Sequence, residues 1–580
     1  MGKATLGQRL AFKNNRSGGP LVKELAELYN RARVTPNEVG KLATAAVQQG
    51  TPGEFIARIA TISRPRTRVT RVGKLKQDTR NASRGLQRAL RASTVDTLPP
   101  VFRTHVPQWD EAANQQVSAP MDFLLPNEVL DFEITAGKEH EWSSVSPRQA
   151  SVKADLDAWG SRTGIDVTSA PFVGLGLWGD SAPCSNKGSL YLLTSQVLTG
   201  EHNGRHWFAG FGKKALCRCG CFGRHTVDRV LQVYVWSVLA LIAGENPSCG
   251  PDQEPLGDEF RRRRAGSKLR FRGTLLYKKG DWAWLKQICN MVGWRGEGVD
   301  KRVCFRCPAS LRGTAFCYDF GPDAIWKGMC CDQGYLASCL WTGTFVCSLF
   351  SLPGFDLSCI RLDFMHICCL GVLQYVNGHA LYDMCCFLGG VKSNTAKAAM
   401  VCGLMVNMLK IACKSMGIEC PIHQLTIGMI VGKAGNPKLK VKAAEGRYLL
   451  PVILEVLKRF LPCASPHEVL RMQCLGALTD VYTEISSWQE DGSSAARFRE
   501  RGQDFLILYG ELAKSAGWRL YPKMHLLAHI FQSCDECPSA TWNYGDEDEI
   551  GRGALMCFTV HPNFIGVELL ERYRLSKREY

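Results

Sequence analysis

The hydrophobic pattern alternates between short apolar runs and long stretches of helical spacing. Two of the short runs stop at a carboxylate. Pro171 to Trp178 is apolar or glycine and leads into Gly179-Asp180, and the largely apolar run Phe355 to Leu362 leads into Asp363. Each reads as a buried strand that delivers an acid at its C-terminal end, which is where open α/β sheets place their chemistry. After Asp180 a turn with Pro183 and Lys187-Gly188-Ser189 gives way to a second apolar segment, Leu190 to Leu198. After Asp363 the pattern turns helical from Ile367 to Val376. A strong helix is predicted from about Val227 to Ala243, stopped by Gly244 with Pro247 beyond. Asp281 is placed to cap a helix running through Val292 to a stop at Gly293. Further helices are predicted over Ala396–Met416, Ala443–Leu461, Pro466–Trp488 and Ala495–Ala516.

Length and overall composition are those of an ordinary multi-domain globular chain: 580 residues, 45% hydrophobic and 22% charged. The net charge of +17 is not ordinary, and it is localised. Residues 1–93 hold 19 Lys and Arg against 5 Asp and Glu, a surplus of 14. Such an arm favours a polyanion, nucleic acid first. The alternative is a solubilising tail. The basic run from Arg64 to Lys76 suits a nuclear-localisation or phosphate-contacting segment. Met1 to Arg16 lacks the apolar core of a secretory signal, so the 26 cysteines, none before Cys184, are expected to be reduced. Residues 333–355 carry no charge, but their Gly, Ser, Thr and Pro353 suit buried core better than a membrane span.

The sequence Asp363-Phe364-Met365-His366, followed by Leu370-Gly371, resembles the second-acid motif of CACTA-type cut-and-paste transposases with their Plavaka and KDZ relatives. The strand-end Asp180 resembles the first-acid region of that family, although many members continue Asp-Gly where this chain has Asp180-Ser181. Glu547, four residues before Gly551, resembles the family's Glu-x-x-x-Gly third-acid element, with Asp546 and Glu549 as close competitors. Further islands are Gly280-Asp281-Trp282, Lys442-Ala443-Ala444-Glu445 and Pro522-Lys523-Met524-His525 with His529. The islands are scattered over roughly residues 170–575, and the basic arm lies outside them.

The resemblance implies an RNase H-like α/β core with a catalytic set of Asp180, Asp363, Glu547 and His366. It also implies metal-dependent DNA strand cleavage and strand transfer. Phosphodiester cleavage needs an activated oxygen nucleophile and a stabilised leaving oxygen, and divalent ions held by carboxylates provide both. Mg²⁺ or Mn²⁺ on Asp180, Asp363 and Glu547 is the matching cofactor. His366, about one helical turn after Asp363, can orient a phosphate, position Asp363 or bond within the core. The implied partner is DNA, both element ends and target, in the nucleus and away from membranes, with room for a homo-oligomer. Two other readings stay open: a catalytically inactive, domesticated DNA-binding zinc protein, and an RNase H-fold nuclease without strand transfer.

Cys217-x-Cys219-x-Cys221-x₃-His225 and Cys304-x₂-Cys307 carry the thiolate and imidazole donors of a structural Zn²⁺ site. A site shared by both blocks needs the intervening chain to fold back. Cys317, Cys330, Cys331 and Cys339 are further candidates, while Cys368, Cys369, Cys385 and Cys386 suit buried free thiols. His525 and His529, one turn apart on a predicted helix, are expected to pack in the core or beneath the third acid.

The resulting organisation is a basic arm (1–93), a connecting region (94–165) and a first core part (166–214). A Cys-rich zinc insertion (215–354) and a second core part (355–400) follow. A helical insertion (401–520) and a final core part with the third acid (521–580) complete the chain.

Overall fold

The computed structural model describes most of residues 98–576, with longer breaks at 136–149, 290–300, 330–346 and 390–395 and several shorter ones. Earlier in the chain it describes Leu42 and a short antiparallel pair, β1 (Arg66–Val69) with β2 (Leu75–Asp78). The rest of the expected basic arm, and Cys330, Cys331 and Cys339, lie outside the described residues.

The fold is mixed α/β around a six-stranded sheet in the order β3-β4-β7-β6-β5-β8. Its strands are β3 (Phe102–Asp110), β4 (Gln115–Phe123), β5 (Phe172–Ser185), β6 (Gly188–Val197), β7 (Arg205–Gly212) and β8 (Arg272–Lys278). Only β5 and β8 pair in parallel; the other neighbours are antiparallel. A single parallel bridge from Lys278 to Ile360 adds one more extended residue outside β8.

Alternation along the strands sends side chains to two faces. Leu175, Leu177, Leu193 and Phe208 join the larger core, which includes the crossover helix α3 (Arg224–Ala243) between β7 and β8. The flanking helices α1 (Pro126–Glu133), α2 (Ala150–Thr163) and α4 (Glu259–Arg264) surround this half, with Arg261 of α4 bonded to buried Glu128 of α1. Trp178, Leu190, Leu192 and Trp207 belong to the opposite cluster, under α12 (Tyr544–Cys557) and α13 (Ile565–Ser576). After β8 the chain enters α5 (Trp282–Cys289). The remaining helices are α6 (Leu373–Phe387), α7 (Ala396–Ser415), α8 (Ala443–Phe460), α9 (Pro466–Ser486), α10 (Ser493–Ala516) and α11 (Pro522–Ser533).

Local sequence explains several boundaries. Pro466 sits in the first turn of α9 behind a capping box, in which Ser465 Oγ accepts from Glu468 N at 3.3 Å and Glu468 Oε2 from Ser465 N at 2.8 Å. Gly244 ends α3 at φ 74°. Among the described residues two helices, α3 and α7, are long and apolar enough to cross a membrane; α3 is mostly buried in the protein and α7 half so.

Four expectations change. The run Phe355 to Leu362 is not a strand. It forms a 3₁₀ turn at Leu357–Cys359 and one bridge at Ile360, because Asp356 caps that turn by accepting from Ser358 N at 2.8 Å. Asp180 does not end its strand: β5 runs on to Ser185, paired with β6. The region 94–165 is no mere connector, since β3 and β4 belong to the sheet. Nor is 215–354 wholly an insertion, because it contains β8.

Candidate functional site

The acids converge where the parallel pairing of β5 and β8 stops. That pairing ends at Leu177 opposite Lys278, leaving Asp180 just beyond it on β5 and Asp281 just beyond it after β8. Two glycines allow the close approach. A Cβ on Gly179 would stand 2.4 Å from the Trp284 ring, and one on Gly280, at φ 148°, would stand 2.6 Å from that ring and 3.2 Å from Gly179 O. The Trp284 indole therefore packs across both strand ends. Asp281 Oδ1 accepts from Trp284 N at 2.6 Å, capping α5 as its sequence predicts.

Asp180, His366 and Glu547 each offer a donor atom, and those atoms lie within 4.8 Å of one another. His366 Nε2 is 3.4 Å from Glu547 Oε1. That Glu547 oxygen is buried and has no hydrogen-bond partner. Burial, followed by repulsion from Asp281, pushes the Asp180 carboxyl up to about 6. Burial likewise raises Glu547 to about 7, against the pull of His366 and with Asp180 and Asp363 adding to the rise. Burial alone would depress His366, but its bond to Asp363 and the surrounding carboxylates outweigh it and raise the imidazole to about 8. A half-buried cluster holding this much negative charge is arranged for a cation.

Asp363 is brought to the same place but does not face the cluster. Its Oδ2 meets His366 Nδ1 at 2.5 Å and accepts from His366 N at 3.3 Å. Its Oδ1 accepts from Met365 N at 3.0 Å and Asn543 N at 3.2 Å. With both oxygens engaged and the residue 3% exposed, Asp363 is the group that orients His366, and it joins that turn to the start of α12. Asp363 does not follow a strand beside that of Asp180, since β8 stands between β5 and the Ile360 bridge.

The turn after Asp363 is π-helical over Met365–Val372, a conformation that leaves backbone groups to be satisfied from outside. Lys523 Nζ donates to His366 O at 2.7 Å. A Cβ on Gly371 would come within 2.6 Å of that lysine side chain. Gly371 and Lys523, far apart in sequence, are thus two halves of one contact behind His366.

The three candidate acids of α12 separate cleanly. Asp546 is fully buried and paired with Lys279 Nζ at 2.7 Å and Arg205 Nε at 3.0 Å. Glu549 Oε2 accepts from Trp207 Nε1 at 2.5 Å. Only Glu547 of the three joins Asp180 and His366. Asp281 is the carboxylate that sequence reading passed over as a cap. The available signal was an apolar strand followed by Lys278-Lys279-Gly280-Asp281, the same run-then-acid pattern that singled out Asp180.

Among the described residues, cysteines and histidines form two donor groups, and the two sequence blocks do not share one site. Cys217, Cys219, Cys221 and His225 make one; Cys304, Cys307, His525 and His529 make the other, each with its donor atoms within 4.8 Å. In the first, Cys217 Sγ lies 3.3 Å from Cys219 Sγ, and Cys219 Sγ 3.3 Å from His225 Nδ1. In the second, Cys307 Sγ lies 3.1 Å from His525 Nε2 and 3.2 Å from His529 Nε2. His525 and His529, expected as packing residues, are therefore placed as donors from α11. His525 Nδ1 contacts Cys317 O at 3.2 Å, which aims Nε2 at the cluster. The Trp326 ring packs against both imidazoles, at 4.5 and 5.1 Å between centroids. Burial would raise the Cys304 thiol, but Cys307, His529 and His525 outweigh it and hold it well below the ordinary value. Both groups could hold a metal ion. Compared with known proteins, the chain matches no family model and no curated protein.

Proposed function

We propose that the chain is a transposase-like enzyme with an RNase H-like core that cuts and joins DNA at the Asp180–His366–Glu547 cluster. The observation that carries this reading is the meeting of Asp180, His366 and Glu547 within 4.8 Å, from elements nearly 370 residues apart. The sheet supports it: an antiparallel trio β7-β6-β5, then a parallel β8 reached through a crossover helix, with acids at the β5–β8 junction.

A divalent ion fits the residues. The donors are hard oxygens, Glu547 Oε1 is a buried oxygen without a hydrogen bond, and both Asp180 and Glu547 resist ionisation in the absence of a counter-charge. Mg²⁺ or Mn²⁺ held by Asp180 and Glu547, with the charge of Asp281 nearby, would supply an activated oxygen nucleophile and stabilise the leaving 3′-oxygen. The chain itself holds the acids at fixed separation through Gly179, Gly280 and Trp284. Its Asp363 keeps His366 Nε2 directed at Glu547, and a protonated His366 offers a donor to a phosphate oxygen. Zn²⁺ is the structural ion we assign to the two cysteine–histidine groups, which have its tetrahedral donor sets. The basic arm would bind DNA, and the chain would work in the nucleus.

The test is nicking of supercoiled plasmid, and joining of a 3′-hydroxyl oligonucleotide into it, in Mg²⁺ and in Mn²⁺. Asp180→Asn and Glu547→Gln should each lower both by at least about a hundredfold with DNA binding retained. Equal activity in wild type and Asp180→Asn would sink the mechanism. Binding without activity in any protein, cognate ends included, would favour the inactive DNA-binding descendant.

A further inference from the structure

The turn inside the first cysteine group carries an aromatic side chain for which the fold has no use. Phe222 is 79% exposed, the most exposed of the large hydrophobic residues described. Its backbone is left-handed, at φ 54°, between Gly220 at 95° and Gly223 at 85°. A bulky residue at positive φ is strained, and an exposed phenyl ring gains nothing from folding. Any small polar residue would satisfy the turn better. Backbone bonds from Gly223 N to Cys217 O at 3.0 Å and from Arg224 N to Cys221 O at 3.1 Å hold the turn, so the ring is presented on an ordered support.

The surroundings point to a nucleic acid. Lys213, Lys214, Arg218 and Arg224 flank Phe222 in sequence, and no acid occurs from Lys213 to Val227. Glu111, from the neighbouring β3–β4 turn, meets Lys214 at 3.5 Å and Arg218 at 3.2 Å, and Asp110 is engaged with its own turn at Ala112 N. The loop stays cationic after both are counted. Its position also fits. β5 and β7 run in the same direction, both antiparallel to β6, so the loop after Gly212 leaves the sheet from the rim at which Asp180 and Asp281 stand. The turn then lies against the β3–β4 hairpin, where Thr226 Oγ1 donates to Pro107 O at 2.6 Å and Cys217 Sγ lies 3.0 Å from Gln116 Oε1; at ~4.8 Å between strands, β4 is about 14 Å from β5. The acidic cluster is recessed, with the His366 side chain only 14% exposed. A phosphate reaches such a site most readily when its strand leaves the regular duplex path.

We propose that Phe222 stacks on an unpaired base of the DNA being processed, while Lys213, Lys214 and Arg218 contact the adjoining phosphates. The proposal rests on the reading of the acidic cluster as a DNA-processing centre. A ring on an ordered, cationic turn is the usual way to hold an unstacked base, and it tolerates any base because every base has a π-face.

The probe is a forked duplex of arbitrary sequence with 2-aminopurine in its unpaired tail, compared with the blunt duplex. Full-length wild type should quench the fluorophore and bind the fork more tightly than the blunt duplex. Phe222→Ala should lose the quenching and bind the fork about tenfold more weakly, with less than twofold change on the blunt duplex. Phe222→Trp should restore both, and metal content should be the same in all three. Wild-type behaviour of Phe222→Ala on the fork, or an equal loss on both DNAs, overturns the proposal. So does a changed oligomeric state with unchanged DNA binding, which would make the ring a protein contact. If wild type nicks plasmid through Asp180 while Phe222→Ala is silent, the stacking proposal fails alone; if wild type binds neither DNA, it falls together with the proposed function.

Discussion

The two cysteine–histidine groups use similar donors and are built in opposite ways. Cys217, Cys219, Cys221 and His225 come from nine consecutive residues, and Cys219 is exposed. Cys304, Cys307, His525 and His529 come from two segments more than two hundred residues apart, and all four are buried. A local chelate can form before the rest of the chain folds and costs little loop entropy. A distant one must wait for tertiary structure, and once formed it closes a long loop. The first shapes a surface turn. The second ties α11, and through Lys523 the carbonyl of His366, to the Cys304 segment. Their worth to the protein should therefore differ in kind.

The largest effect is expected from the buried group. Cys307→Ser or His529→Gln should remove one of about two zinc ions per chain. The loss should destabilise the fold by at least about 3 kcal/mol, the scale of a buried polar or charged group left without its partner. Metal analysis and chemical denaturation measure both. Full metal content and unchanged stability in either variant would return these residues to packing. A comparable loss is expected for Asp546→Asn, which strands Lys279 in the core, about 3–5 kcal/mol. Glu547→Gln beside it should leave the fold intact and abolish cleavage.

The acidic cluster should respond to pH with a sign of its own. Asp180 and Glu547 have folded values raised above the usual carboxyl range, to about 6 and about 7. Their cost is absent at acid pH, appears as pH passes the ordinary carboxyl range near ~4 and is complete above those folded values. His366, raised to about 8, contributes stability that is present below its ordinary value and lost as pH rises through 8. All three act in one direction, so metal-free protein should melt progressively lower from pH 4.5 to 8.5. Mg²⁺ should reverse most of the loss at the upper end. A melting temperature that rises over this range, or ignores Mg²⁺ at pH 8, would contradict the arrangement.

The smallest effect is expected from the exposed group. Cys219→Ser should release the second zinc yet cost no more than about 1 kcal/mol, as surface changes do. Chelator should strip this ion first and the buried one only on unfolding. Release in the reverse order would erase the distinction between the two groups.

Legibility in the sequence followed the same division. Asp180 was marked by a run of apolar residues before it, and Cys217 to His225 by spacing within one turn. The helices of residues 396–516 were marked by period and caps, and their boundaries agree to within about two residues, the normal scatter of helix ends. Local patterning carries these because each depends on neighbours a few positions away. The strand expected at Phe355 to Leu362 failed for the same reason in reverse: Asp356 formed a local turn that an apolar count does not see.

What the tertiary structure decided is which donors meet. No local rule pairs Cys304 with His529, or tells Glu547 from Asp546, its neighbour on the same helix. Lys279 and Arg205 take Asp546, Trp207 takes Glu549, and His366 is left facing Glu547. The resemblance makes Asp363 a metal ligand, while in the fold four hydrogen bonds from Met365, His366 and Asn543 engage both its oxygens. Asp281 caps α5 as its sequence predicts, and the approach of Gly280 to Gly179 brings its charge close enough to raise the Asp180 carboxyl. The sequence sets which side chains can carry charge and where the backbone can turn. The partner of each charge is chosen by burial, because a charge removed from water takes whichever counter-charge the packed chain brings within reach.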